Sequence, residues 1–151
     1  MAQTACGFDD KSGVSGSNLL AHFGPTLFVN IGFDPKFKLD KPHVPKAGIK
    51  GVSALVDTGA STSCIDNILA AELKLPIIDR RQISGSNGNH TANMYLAQIY
   101  IPSLNFTIYG SFAGVNLKAG GQDHNALIGR TFLQHFTMVY EGKSGSVTLS
   151  N

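Results

Sequence analysis

Along most of this chain apolar and polar positions alternate with a period of two, and a helical spacing holds in few places. Leu27–Phe33 is rich in β-formers and follows the break Gly24-Pro25, and Ile49–Val56 alternates; both read as strands. Tyr95–Ile101 and Phe106–Phe112 read as strands on either side of the Pro102-Ser103 corner. Ala126–Ile128 reads as a short buried strand, and Phe136–Tyr140 with Val147–Leu149 as a final hairpin around Gly142 and Gly145. Helical spacing appears over 64–75, where Ile65, Ile68, Leu69 and Leu73 share a face and Pro76 stops the pattern. A brief helix is expected over Thr131–His135. Pro35, Pro42 and Pro45 make 34–48 an excursion rather than a central strand. Ser84–Asn89 has the composition of a hairpin tip, and Lys118–Asn125 that of a polar loop. The expectation is a mostly β fold with one main helix and no internal repeat. Residues 1–18, Gly/Ser-rich and poor in large apolar groups, are expected to be a flexible polar tail before a single domain over 19–151.

Composition changes this picture in three ways. A length of 151 residues fits one domain with a proper core. With 12 basic and 10 acidic side chains the net charge is only +2, which argues against a nucleic-acid partner. No apolar run approaches the ~18 residues that span a bilayer, and MAQTACGFDDKSG has neither a basic start nor an apolar stretch. A cytoplasmic protein without a membrane segment is therefore expected, and the acceptor-like triplets Asn89-His90-Thr91 and Asn105-Phe106-Thr107 carry no weight. Cys6 and Cys64 do not suggest a disulfide framework, and Cys64 reads as a buried thiol. His22, His43, His90, His124 and His135 show no metal-ligand spacing, so no metal and no cofactor are expected.

The chemistry-bearing segment is Ala54-Leu55-Val56-Asp57-Thr58-Gly59-Ala60-Ser61. An apolar strand delivers a carboxylate to its own end, and a glycine two positions later permits a tight turn. Taken alone, the triplet is equally an ordinary turn after a strand. Leu127-Ile128-Gly129-Arg130 repeats the logic: two apolar residues, then a glycine that lets the strand pass close under a neighbouring loop. Taken alone, it is a buried strand ending at a helix.

Together, and in this order, the two segments resemble the retropepsin-like aspartic proteases, over roughly residues 25–149. In that family D-[ST]-G-A carries the catalytic carboxylate, a hydrophobic-hydrophobic-Gly segment crosses beneath it, and a hairpin flap lies between them, here at 83–93. The resemblance is closest to the versions with a helix after the motif. It implies a closed acid-protease-like β-barrel of one lobe per chain. In viral members an aspartate stands two positions after the motif glycine and pairs with the arginine of the late segment. Ser61 occupies that position here, which leaves Arg130 to bond another acid or a backbone carbonyl.

The resemblance assigns roles. Asp57 would be the catalytic carboxyl, with Thr58 and Gly59 completing the catalytic turn. Gly59, Ala60, Ser61 and Leu127 would contact substrate, together with Gly85 and Gly88 at the flap tip. Ile128, Gly129 and Arg130 would support the site. Peptide hydrolysis by this route needs two carboxyls sharing a proton, and the chain contains a single D-T-G and no D-S-G. A peptide-cleaving homodimer is therefore expected, with one Asp57 from each copy. The alternative is a catalytically silent dimeric module of the same fold. A phosphate-binding reading of 56–62 would need two large α/β domains, for which the chain is too short. Gly142-Lys143-Ser144 is no nucleotide loop, because Thr137 stands where a glycine is required.

Overall fold

The computed structural model describes residues 2–41, 43–85 and 88–151. Met1, Pro42 of the proline-rich excursion, and Ser86 and Asn87 of the expected hairpin tip lie outside the described residues. In chain order the strands are β1 (Gln3–Ala5), β2 (Thr26–Gly32), β3 (Ile49–Val56), β4 (Cys64–Asp66), β5 (Ile77–Gly85), β6 (Gly88–Ile101), β7 (Phe106–Val115), β8 (Ala126–Ile128), β9 (Thr137–Glu141) and β10 (Ser146–Ser150). The α-helices are α1 (Gly16–Phe23), α2 (Asn67–Glu72) and α3 (Arg130–Leu133).

Six strands close a barrel in the order β2-β3-β8-β4-β7-β6, and β2 pairs again with β6 through Asn30↔Tyr100, Ile31↔Ile99 and Gly32↔Gln98. β5 continues the sheet beyond β6. The fold is thus the mostly β, acid-protease-like barrel that the pattern and the resemblance anticipate. The period-two pattern is the cause. Leu27, Val29 and Ile31 of β2 point into the core while Phe28 between them is exposed. Ala54, Val56, Ile65, Ala97, Ile99, Ile101, Ala126 and Ile128 fill the interior from the other strands.

The helices differ from expectation. The 64–75 segment begins as strand β4, and α2 starts only at Asn67. Asp66 caps it, its carboxylate accepting the Leu69 N–H at 3.3 Å. The apolar spacing of 64–75 therefore mixes strand and helix contacts, because Cys64 and Ile65 are claimed by β7 and β8. The longest helix, α1, escapes the periodicity. Its stability is local and tertiary: the Ser15 hydroxyl accepts the Asn18 N–H at 3.1 Å, Asp10 accepts the Gly16 N–H at 2.7 Å, and Leu20 is buried.

Residues 2–18 are not the loose tail expected from their composition. β1 pairs antiparallel with β10 (Gln3↔Ser150 to Ala5↔Thr148), giving a three-stranded sheet β1-β10-β9, and Cys6 joins the main core. The partner strand comes from the opposite end of the chain, where local composition cannot register it. Among the described residues no helix is long and apolar enough to cross a membrane.

Candidate active site

β8 lies between β3 and β4. It runs parallel to β3 (Leu55↔Leu127, Val56↔Ile128) and antiparallel to β4 (Cys64↔Leu127, Ile65↔Ala126). The segment 57–63 must therefore arch over the end of β8 to join the strands on its two sides. Asp57 opens the arch, its N–H donating to Ile128 O at 2.9 Å. Its carboxylate oxygen Oδ1 accepts the Gly59 N–H at 2.8 Å, and its carbonyl accepts the Ala60 N–H at 3.3 Å. Asp57 is half-buried, whereas Thr58, Gly59, Ser61 and Thr62 are exposed. A carboxylate is thus fixed in direction on a short, solvent-facing turn.

The chain after β8 holds the arch from below. Arg130 N–H donates to Ala60 O at 2.9 Å, and Thr131 N–H to Ser61 O at 3.1 Å. The Arg130 guanidinium donates through Nη1 to Thr58 O at 2.7 Å. With Ser61 in place of an acid, Arg130 takes a backbone carbonyl as partner. At Gly129 an added Cβ would stand 2.6 Å from Thr62 O and 2.9 Å from Ala60 O, so only glycine fits the crossing. The Gly129 N–H donates to the buried Ser63 hydroxyl at 3.0 Å. Ser63 is a supporting residue that the sequence reading missed; nothing in its local context distinguishes it from the neighbouring Ser61 and Thr62.

The structure thus brings together Asp57, Thr58, Gly59, Ala60 and Ser61 with Leu127, Ile128, Gly129 and Arg130. Leu127 is half-buried between Leu55 and Cys64, and Ile128 is fully buried. Gly85 and Gly88 pair with each other at the tip of the β5–β6 hairpin, and among the described residues neither hydrogen-bonds to the Asp57 arch.

A second apolar cluster was also missed. Ala92, Met94 and Ala113 pack with Cys64 and Ile83, joining the base of the hairpin to the strand that leaves the arch. Burial, and secondarily the charge of Asp57, push the Cys64 thiol up to about 11. Cys64 therefore stays protonated at neutral pH and behaves as an apolar wall rather than a nucleophile.

The aspartyl protease family model matches residues 46–132, more than half of the chain, from just before β3 into α3. The chain belongs to the aspartyl protease family. The matched span contains the whole arch and its support, and the family is one of aspartyl-type peptidases. No curated protein matches the chain.

Proposed function

We propose that this aspartyl protease family member is a retropepsin-type endopeptidase acting as a homodimer. The observation that carries the reading is a single Asp57 arch on a single closed barrel. One such arch supplies one carboxyl, and the reaction needs two. Two further features favour pairing of copies. Thr58 and Gly59 face solvent beside Asp57. β9 is an edge strand of the terminal sheet, with Val139 and Tyr140 each 51% exposed.

In the dimer the two Asp57 carboxyls share one proton, because two carboxylates at a separation of about 3 Å cannot both ionise. The ionised one takes a proton from a water, whose oxygen attacks the scissile carbonyl. The protonated one gives its proton to the carbonyl oxygen, forming a neutral diol. Transfer of a proton to the amide nitrogen then breaks the C–N bond, releases an acid and an amine, and restores the shared proton. Thr58 levels the two arches across the axis, and Gly59 offers its carbonyl to the substrate backbone. Ala60, Ser61 and Leu127 contact the residues beside the scissile bond, with the Cys64–Met94 cluster behind them. Apolar side chains flanking the cut bond follow from that lining. The hairpin ending in Gly85 and Gly88 closes over the substrate and excludes water. No metal or cofactor takes part.

The test is hydrolysis of casein in mildly acidic buffer. Asp57→Asn is expected to lower the rate at least about a thousandfold with an unchanged melting temperature. Specific activity of the unaltered protein should fall on dilution as the copies part. Equal rates from both proteins would leave the silent module as the better reading. Full activity in a strictly monomeric protein would remove the shared site.

A further inference from the structure

β7 is paired unequally on its two sides. Toward β6 it is covered from Phe106↔Ile101 to Ala113↔Met94, but toward β4 only Ala113, Gly114 and Val115 have partners. The edge from Phe106 to Phe112 thus carries no strand, and among the described residues no backbone hydrogen bond reaches it from that side. A cavity of about 410 Å³ runs along this edge and is lined by every residue from Phe106 to Phe112. Thr62 and Ser63, Thr131 and Phe132 of α3, and His135 just after it form its other walls, with Leu39, 68% exposed, at its mouth. At Gly110 an added Cβ would meet nothing within 4 Å, so a gap is left open in the middle of the strand.

We propose that this groove binds an extended segment of the polypeptide substrate, remote from the scissile bond, as an added strand on β7. The unpaired edge offers alternating N–H and C=O groups, which only another extended backbone satisfies in series. The lane is the one that β4 already occupies further along β7, so the added strand prolongs an existing ladder position. No lining residue is Asp, Glu, Lys or Arg, which selects an uncharged segment, and the gap at Gly110 receives one apolar side chain. The occupant is assigned to the substrate because the walls belong to the scaffold of the arch. Ser63 holds Gly129, and Thr131 holds Ser61. The identity of the occupant rests on the endopeptidase reading; the groove itself does not.

Hydrogen exchange on the full-length Asp57→Asn chain, with and without β-casein, tests the added strand directly. Slower exchange of amides within 106–112 on β-casein addition is expected, and unchanged exchange there would overturn the proposal. Slowing that appears on concentrating the protein alone would assign the groove to a second copy, and would equally overturn it. In the active protein, Gly110→Leu fills the gap. It should weaken kcat/KM on β-casein by about tenfold while leaving a short peptide spanning a mapped cleavage site unaffected. Gly110→Ala, with one added methyl, should show a smaller loss in the same direction with an unchanged melting temperature. Equal losses on both substrates would overturn the proposal. A protein that cleaves neither substrate yet gains protection at 106–112 would refute the endopeptidase reading and leave the groove standing.

Discussion

The Asp57 arch and the β5–β6 hairpin are both turns between strands, yet they are built oppositely. Across 57–63, Asp57, Thr58, Ala60, Ser61 and Ser63 are each tied to the segment 128–131, and Gly129 leaves no room for a methyl beneath them. The outer hairpin is solvent-exposed from Ile77 to Gln82 and from Gly88 to Thr91. Beyond its ladder it is held by Gln82 to Thr91 at 3.0 Å, Ser84 to Asn89 at 2.7 Å and the packing of Ile83 on the Ala92–Met94–Ala113 cluster. A turn tied at most of its positions is over-determined by its surroundings, whereas an exposed hairpin leans mainly on its own ladder.

Substitutions should break this contrast in a definite order. Gly129→Ala forces a methyl against the Thr62 and Ala60 carbonyls. It is expected to cost about 3 kcal/mol in denaturant unfolding and to remove activity with it. A stable, active Gly129→Ala protein would mean the arch is looser than its geometry. Arg130→Met removes the charged donor to Thr58 O. A loss of about 1 kcal/mol is expected, with a larger fall in kcat than in KM if the bond orients Thr58. Gly88→Ala acts in the other region. At φ +93° a side chain is strained by about 1 kcal/mol, and because the hairpin is peripheral, exchange protection of the barrel core should not change.

The smallest effect is expected in the proline-rich excursion. Two backbone N–H groups, from Lys46 and Lys36, hold Asp34 below the usual carboxylate range, outweighing its burial, and His43 adds to them. A depressed pKa in the folded state means that the stabilisation is complete above the unfolded value. It is lost as the pH falls through the folded one. The difference in melting temperature between the unaltered protein and Asp34→Asn should therefore be constant near neutrality and shrink below about pH 4. A difference that grew in acid would show that Asp34 is not ionised in its loop.

Much of the fold was legible because period two is a local signal. β2, β3 and β8 lie within a residue or so of their expected positions, and the last hairpin is close. Strand β1 was missed because what stabilises it lies far along the chain, and helix α1 because its caps, Ser15 and Asp10, and its one large buried side chain, Leu20, leave no apolar periodicity. Gln3 to Ala5 form a strand because Thr148 to Ser150 pair with them. The same distance effect turned the front of the expected 64–75 helix into β4. At the site, Asp57, Gly129 and Arg130 were readable because each is a residue type with little chemical freedom at its position. Ser63, Ala92, Met94 and Ala113 were not, because small and apolar residues acquire a role only from what packs against them.

Sequence alone determined that a carboxylate ends an apolar strand, that a glycine stands where another segment must pass closely, and that the chain carries this motif once. Those are properties of residue types and their spacing. Tertiary structure decided that the glycine lies under that same turn, that Arg130 reaches the Thr58 carbonyl, and that β7 is left with a bare edge. These depend on strand order, and strand order is set by closing the barrel around a shared core rather than by any single segment.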